Sequence, residues 1–322
     1  MDVFLHAYPM PGEVRRLAVV AEGEGWDGLL LADSQNLQAE VFVELALAAR
    51  ATERLLLGTG VTNPITRHPA VIAGAAATLQ AESNARMHLG IGRGDSSVAL
   101  IGKRPAPLNE FEDFLRRLQA YLAGEIVEHD GLRSRLEWLP PSLPKVPVDV
   151  AATGPRTIAV AARHADAVTF AVGADPERLR WALSTARAAG ARRFGAYIVA
   201  ATDPDLALAR DLVRVNVAIF ANFARHSLAH VDRGTIREIV PPAPTVSAGS
   251  SAPEITRVPD DFIDRFAVVG PANHCAERLR EIATLGIERV VIVGASKDVD
   301  ASRADEARKR FADEVLPALR DF

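Results

Sequence analysis

The feature that most constrains this chain is an alternation repeated along its whole length. Eight short apolar runs are separated by longer segments of helical periodicity. The runs are Val3–Ala7, Gly28–Ala32, Leu55–Thr59, Met87–Ile91, Val146–Ala151, Ala165–Phe170, Phe194–Val199 and Arg289–Val293. Helical stripes fall between them, as at 12–24, where Val14, Leu17, Ala18 and Ala21 share a face, and near 40–52 and 69–82. Strand–helix alternation of this kind builds a parallel sheet, and eight repeats fit a closed (β/α)8 TIM barrel better than an open sheet of five to seven strands. The expected fold class is therefore α/β, with residues 1–322 as one barrel domain.

Two connections exceed ordinary barrel loops and are expected as insertions after strands 4 and 7. The first holds a helix near 108–123 and a stretch ending in Pro140-Pro141. The second spans about 90 residues. It begins helical, from 205 to about 230, and continues through Pro241-Pro242-Ala243-Pro244 to Pro253. Its part from about 231 to 262 reads as a flexible loop or lid, with a disordered linker as the alternative.

Composition narrows the function. The net charge of −4 provides no global basic field, so no nucleic-acid partner is expected. No apolar run is long enough for a membrane span, and Met1-Asp2-Val3-Phe4 does not open like a signal peptide. Cys275 is the only cysteine, which excludes an internal disulfide and zinc–cysteine clusters. A cytoplasmic enzyme acting on a small molecule is the expectation, with no metal.

In such a barrel the chemistry sits at the carboxyl ends of the strands. His6 ends the first run, and Asp33-Ser34-Gln35-Asn36 follows the second. Gly60-Val61-Thr62-Asn63-Pro64 follows the third and reads as a sharp turn. Gly92-Arg93-Gly94-Asp95-Ser96 follows the fourth, and its glycines permit close approach of backbone to a ligand. Their spacing differs from the dinucleotide fingerprint. After the fifth comes Thr153-Gly154-Pro155-Arg156-Thr157. There Thr153 or Gly154 can cap a helix, Pro155 suits its first position, and free N–H groups with Arg156 suit a phosphate. An ordinary capped turn explains the same residues. Arg67, Arg93, Lys103, Arg104 and Arg156 all fall on these loops, a basic rim that would steer an anionic cofactor.

These segments also carry a resemblance. Leu57–Pro64 with Thr66–Ala70, and Leu89–Ser96, resemble the third- and fourth-strand segments of methylenetetrahydromethanopterin reductases and related F420-dependent enzymes. Ala151–Thr157 with Ala165–Val168 is similar to the fifth and sixth strands of the luciferase-like superfamily. The resemblance covers nearly the whole chain except roughly 231–262. It implies coenzyme F420 as the cofactor, with FMN and oxygen-dependent monooxygenation as the alternative. It also implies a non-proline cis peptide at Gly60–Val61 behind the ring, and Asp33 beside the ring. Gly154, Arg156 and Thr157 would lie around the phosphate, and Asp95 would be the acid supplying a proton. Cofactor contacts are expected from Asp33, Gly60, Val61, Asn63, Gly92, Gly94, Ser96, Thr153, Gly154, Arg156 and Thr157. Asp95, His6 and Asp33 are the catalytic candidates. F420-dependent sugar-phosphate dehydrogenases place histidine where this chain has Ser34, and their phosphate-binding lysines are not evident here, which disfavours that substrate. A homodimer is expected because such relatives often dimerise. The activity implied is hydride transfer with a C=C, C=N or C=O/alcohol substrate.

Overall fold

The computed structural model describes residues 1–94, 96–228 and 258–320. Its frame is a run of parallel strands and intervening helices. These are β1 (Asp2–Ala7), α1 (Val14–Glu24), β2 (Gly28–Leu31), α2 (Val41–Ala51), β3 (Leu56–Thr62), α3 (Pro69–Glu82) and β4 (Met87–Ile91). After β4 come a short helix α4 (Ser96–Ala99), the long α5 (Leu108–Leu122) and a hairpin of β5 (Val127–His129) and β6 (Leu132–Ser134). The frame resumes with β7 (Val148–Ala152), α6 (Pro155–His164), β8 (Ala167–Phe170), α7 (Pro176–Ala188), β9 (Phe194–Thr202) and α8 (Leu206–Leu228). Then follow α9 (Asp260–Phe266), β10 (Val268–Gly270), α10 (Ala272–Thr284), β11 (Arg289–Val293), α11 (Ala301–Arg310) and α12 (Leu316–Arg320).

The sheet order runs β9-β11-β1-β2-β3-β4-β7-β8, and an additional β8–β9 pairing closes it into a barrel of eight parallel strands. β10 adds beside the carboxyl half of β9, pairing Val268 with Ala200 and Gly270 with Thr202. Strand residues alternate between two apolar layers. Leu29 and Leu31 pack outward under the helices with Leu5, Leu57 and Leu89, while Leu30 packs inward with Phe4, Tyr197 and Val291. Burial on both faces explains why the strands read as unbroken apolar runs. β3 and β4 approach so closely at Gly90 that a Cβ there would stand 2.1 Å from the Thr59 carbonyl oxygen.

Two sequence-based expectations change. β3 does not stop at Thr59 but runs to Thr62, with its register against β4 shifted between Thr59 and Thr62. Gly60-Val61-Thr62 is thus bulged strand, and the turn begins at Asn63. The long connection after β9 was expected to be flexible over about 231–262. Its residues 229–257 lie outside the described set, but 258–262 are packed: Val258 and Phe262 are buried, and Arg214 Nη1 donates to the Val258 carbonyl at 2.6 Å.

Beneath the mouth, the barrel interior carries a charged layer. Arg289 Nη1 donates to His88 Nε2 at 3.0 Å and to Asp149 Oδ2 at 3.2 Å, and Thr169 Oγ1 donates to the same oxygen at 2.6 Å. Burial lowers the His88 pKa, so its ring is neutral, and its Nε2 also lies 3.2 Å from Asp149 Oδ2. The opposite rim of the molecule holds a groove of about 700 Å³ near Lys145 and Asp166, which pair at 2.7 Å. That groove lies at the amino ends of β7 and β8, away from the strand-end chemistry.

Candidate active site

The carboxyl ends of β1 to β4 and β7 bring most of the singled-out residues to one face. His6 shares the inward side of β1 with Phe4, two residues earlier. Its Nε2 donates to the Gly60 carbonyl at 2.8 Å. The ring packs edge-on against Tyr8 at 5.2 Å and Tyr197 at 6.2 Å. Burial is the main cause that pushes its pKa down from 6.5 to about 4, so the imidazole is neutral near pH 7. With Nε2 protonated, Nδ1 bears the lone pair, and it is buried with no partner among the described residues. The proton assignment follows from the Gly60 carbonyl, which can only accept.

The peptide between Gly60 and Val61 is cis, as the resemblance implied. Val61 faces the β4 loop, where a Cβ built on Gly92 would lie 3.1 Å from its Cγ2. Gly94 has φ of +85°, a left-handed conformation that suits glycine. Asn63 is 1% exposed and its Oδ1 accepts from the backbone N–H of Ile65 and Thr66 at 3.0 and 3.1 Å, which makes the turn after β3. Its Nδ2 is buried with no acceptor among the described residues.

Asp33 is 3% exposed and fully engaged. Oδ2 accepts from Thr62 Oγ1 at 2.7 Å and Arg67 Nη1 at 2.5 Å, while Oδ1 accepts from Gln35 Nε2 at 2.7 Å. Arg67 also donates to Glu40 at 2.5 Å and lies over the Phe42 ring. The expected basic rim is therefore smaller than the sequence suggested. Arg67 is drawn into an ion-pair cluster, and Arg93 Nε is spent on the Ala106 carbonyl at 2.8 Å. Lys103, Arg104 and Arg156 stay exposed.

At β7 the helix start is as open as its sequence allows. Gly154 is the N-cap, Pro155 the first helical residue, and no side chain caps α6. Thr153 is not the cap, so that half of the capping expectation is corrected. The Arg156 and Thr157 N–H groups stand at the positive end of α6 with no side-chain cap. Asp95 lies outside the described residues, and Ser96 opens α4.

Sequence reasoning missed several neighbours. Tyr8 donates to Asn216 Oδ1 at 3.5 Å, Asn216 Nδ2 donates to the Gly294 carbonyl at 2.9 Å, and Lys297 Nζ sits 4.1 Å from the Tyr8 ring centre. These contacts join β1, α8 and the loop after β11, and only the fold brings them together. Among the described residues no group of three or more His, Cys, Asp or Glu side chains could hold a metal ion. No helix among them is long and apolar enough to cross a membrane.

Residues 2–289 match the model of the luciferase-like monooxygenase family, and the chain belongs to that family. It is 26% identical to the 5,10-methylenetetrahydromethanopterin reductase of Methanolobus tindarius, over 89% of this chain and 92% of that one. It is 28% identical to the F420-dependent glucose-6-phosphate dehydrogenase of Beutenbergia cavernae, over 96% of this chain and 94% of that one. Its fold matches the coenzyme F420-dependent tetrahydromethanopterin reductase from Methanopyrus kandleri with a TM-score of 0.82, 22% identity and 99% coverage of both chains.

Proposed function

We propose that this chain is an F420-dependent oxidoreductase transferring a hydride between deazaflavin C5 and a small organic substrate. The observation that carries the reading is a juxtaposition at the barrel mouth. An uncapped, positively polarised helix start at Gly154–Thr157 lies at one strand end, and a neutral His6 with a bare Nδ1 lies at another. Relatives aligned nearly end to end, one of them named for F420, support it. The residues present fit such a cofactor. The α6 N–H groups and Arg156 would hold its phosphate, Gly60 and Val61 would back its ring, and Gly92 and Gly94 leave room beside it.

When bound, a deazaflavin supplies two-electron hydride chemistry at C5 and reacts poorly with oxygen. The protein's own work is orientation and proton management. In the alcohol-to-carbonyl direction the substrate C–H electron pair leaves as hydride, and its O–H proton passes to a base. Asp95 is the proposed proton carrier, tested by Asp95→Asn, which lowers turnover and leaves cofactor affinity nearly unchanged. His6, with its low pKa, accepts a hydrogen bond from substrate better than it holds a proton. Asp33 acts through Arg67 and Thr62 as a positioning residue, because both its oxygens are occupied. Replacing His6 with Gln keeps a donor for the Gly60 carbonyl and lowers turnover roughly 10²-fold.

The reading includes a cytoplasmic location and a homodimer. Exposed Val43 and Leu47 on α2 and Val71 on α3 form the apolar face proposed to pair, which light scattering of wild type and Leu47→Glu tests.

The second reading, an FMN-dependent monooxygenase, is favoured by the family's description. Titration of the apo-protein with F420 and, separately, FMN decides between them. Tight F420 binding with weak FMN binding is the expected result, and a preference for FMN overturns the cofactor assignment.

A further inference from the structure

The strand order places two halves of the barrel mouth opposite each other. In the ring β1-β2-β3-β4-β7-β8-β9-β11, β1 stands across from β7 and β11 across from β4. β4 and β7 carry the glycine loop and the open start of α6, the segments read above as the cofactor side. The loops after β1 and β11 are therefore the far wall. There Tyr8 is held by Asn216, and Lys297 lays its ammonium over the Tyr8 ring at 4.1 Å. The same Tyr8 ring packs on His6 at 5.2 Å, so the ammonium and the imidazole with the bare Nδ1 contact one aromatic ring.

Lys297 differs from Arg67 and Arg93, which are taken up by protein oxygens, and like Lys103, Arg104 and Arg156 it is exposed. Arg67 is bound by Asp33 and Glu40, and Arg93 by a backbone carbonyl. Lys297 makes its contact with an aromatic face, and no carboxylate lies within ion-pairing distance of it among the described residues. Crowding around the ammonium lowers its pKa, and its charge also disfavours a proton on His6. A Lys over an aromatic ring at an exposed site gains far less than a matched anion would add. The arrangement holds a positive charge in place and leaves its strongest interaction unmade.

We propose that Lys297 binds an anionic group, a carboxylate or phosphate, on the substrate, beside the Tyr8 ring that His6 also contacts. The substrate class is then a small anionic compound whose reacting carbon lies toward His6 while its charged end lies on Lys297. This deepens the hydride-transfer reading and rests on it for the identity of the cofactor side.

The test uses full-length protein, with and without F420, and two matched pairs of probes. These are lactate against lactamide and glycerol 3-phosphate against glycerol, measured by calorimetry and by the shift in Tm. In wild type the anionic member of at least one pair binds roughly tenfold more tightly than its neutral partner. The discrimination disappears in Lys297→Met and persists in Lys297→Arg. The lactate and phosphate arms tell carboxylate from phosphate as the recognised group. Equal binding within both pairs, no binding of any probe, or discrimination that survives Lys297→Met overturns the proposal. F420 affinity is measured on the same variants. A drop of tenfold or more in Lys297→Met with probe discrimination intact assigns the lysine to the cofactor's own anions and also overturns it. Failure of wild type to bind F420 defeats the hydride-transfer reading instead, and the apo-protein titrations then still decide the role of Lys297.

Discussion

The two ends of the barrel treat polar side chains in opposite ways. At the amino-terminal end Arg86, 7% exposed, has five N–H groups and five acceptors. It donates to the carbonyls of Ser83, Ala49, Thr52 and Leu55 and to Thr52 Oγ1, all between 2.7 and 2.9 Å, and so closes the carboxyl end of α2. Nearby, Glu22 of α1 accepts from the N–H groups of Glu53, Arg54 and Leu55 at 2.7–3.2 Å. At the carboxyl-terminal end, among the described residues, His6 and Asn63 each keep a buried atom with no partner, α6 has no side-chain cap, and Lys297 contacts an aromatic face without an ion pair. The His88–Asp149–Arg289 layer lies between in character as well as position: Asp149 and Arg289 pair beside a neutral His88, yet among the described residues Asp149 Oδ1 and Arg289 Nε have no hydrogen-bond partner. A buried polar group left unmade costs about 1–3 kcal/mol, so such groups collect where a ligand can satisfy them. Unsatisfied buried atoms also occur elsewhere, as at Glu44 Oε2 and Arg308 Nε, but at the mouth they stand beside an open helix start and an exposed lysine.

The strongest way to break this comparison is at the satisfied end. Arg86→Met strips the donors from five acceptors and leaves most of them buried. The expected loss is at least about 3 kcal/mol, read by urea unfolding, with cofactor affinity of the folded fraction unchanged. A variant as stable as wild type would mean that water replaces the guanidinium and that this end is not the rigid base it looks to be.

The next effect tests the mouth through pH. His6 and His88 are both held neutral by burial, His6 with its pKa lowered from 6.5 to about 4. The unfolded chain takes up these protons first as pH falls. The His6 contribution to stability is therefore whole above pH 6.5 and is lost as pH drops from there toward about 4, and His88 adds in the same direction. The His6 share is on the order of 2 kcal/mol after allowance for its partial exposure. Unfolding free energy measured across that window should fall less steeply in His6→Gln than in wild type. Equal slopes would show that His6 is solvated and available to a proton, which would return it to the role of base.

How much of this was legible in sequence follows the same division. The barrel was readable because strands buried on both faces must be apolar throughout, as in Gly28–Leu31 and Arg289–Val293. The cis bond at Gly60–Val61 was reached through resemblance, since Gly, Thr and Asn after Leu57 otherwise read as a turn. That local composition also hid the last part of β3, whose neighbours in the barrel hold it extended to Thr62. The hairpin at 127–134 was not seen, because its strands have three residues each and Leu132 is exposed, so no buried periodicity marks it. Tyr8, Asn216 and Lys297 were invisible as a group because Tyr8 lies 208 residues from Asn216 in the chain and Lys297 lies further on. Asp33 was legible as a polar strand-end residue, but its capture by Arg67 was not, since the pairing depends on how the 63–68 turn folds back.

The smallest effect separates fold from ligand most cleanly, because it should move the two in opposite directions. Gly154 caps α6 with φ −117° and ψ 156°, a conformation open to any residue, and a Cβ there meets nothing within 4 Å. Aspartate at this position can therefore accept hydrogen bonds from the N–H groups two and three residues on. That cap, with its charge at the positive end of the helix, should stabilise the apo-protein by a few tenths of a kcal/mol. The same N–H groups are the ones proposed for the cofactor phosphate, and the new carboxylate would repel it. Cofactor affinity should then fall about tenfold, equivalent to about 1.4 kcal/mol. Gly154→Ser, which caps without the charge, should lie between wild type and Gly154→Asp in affinity. Raised stability with unchanged affinity would move the anion site away from α6. Lowered affinity without any gain in stability would mean that the helix start is already satisfied by water, and the contrast between the two ends would then rest on His6, Asn63 and Lys297 alone.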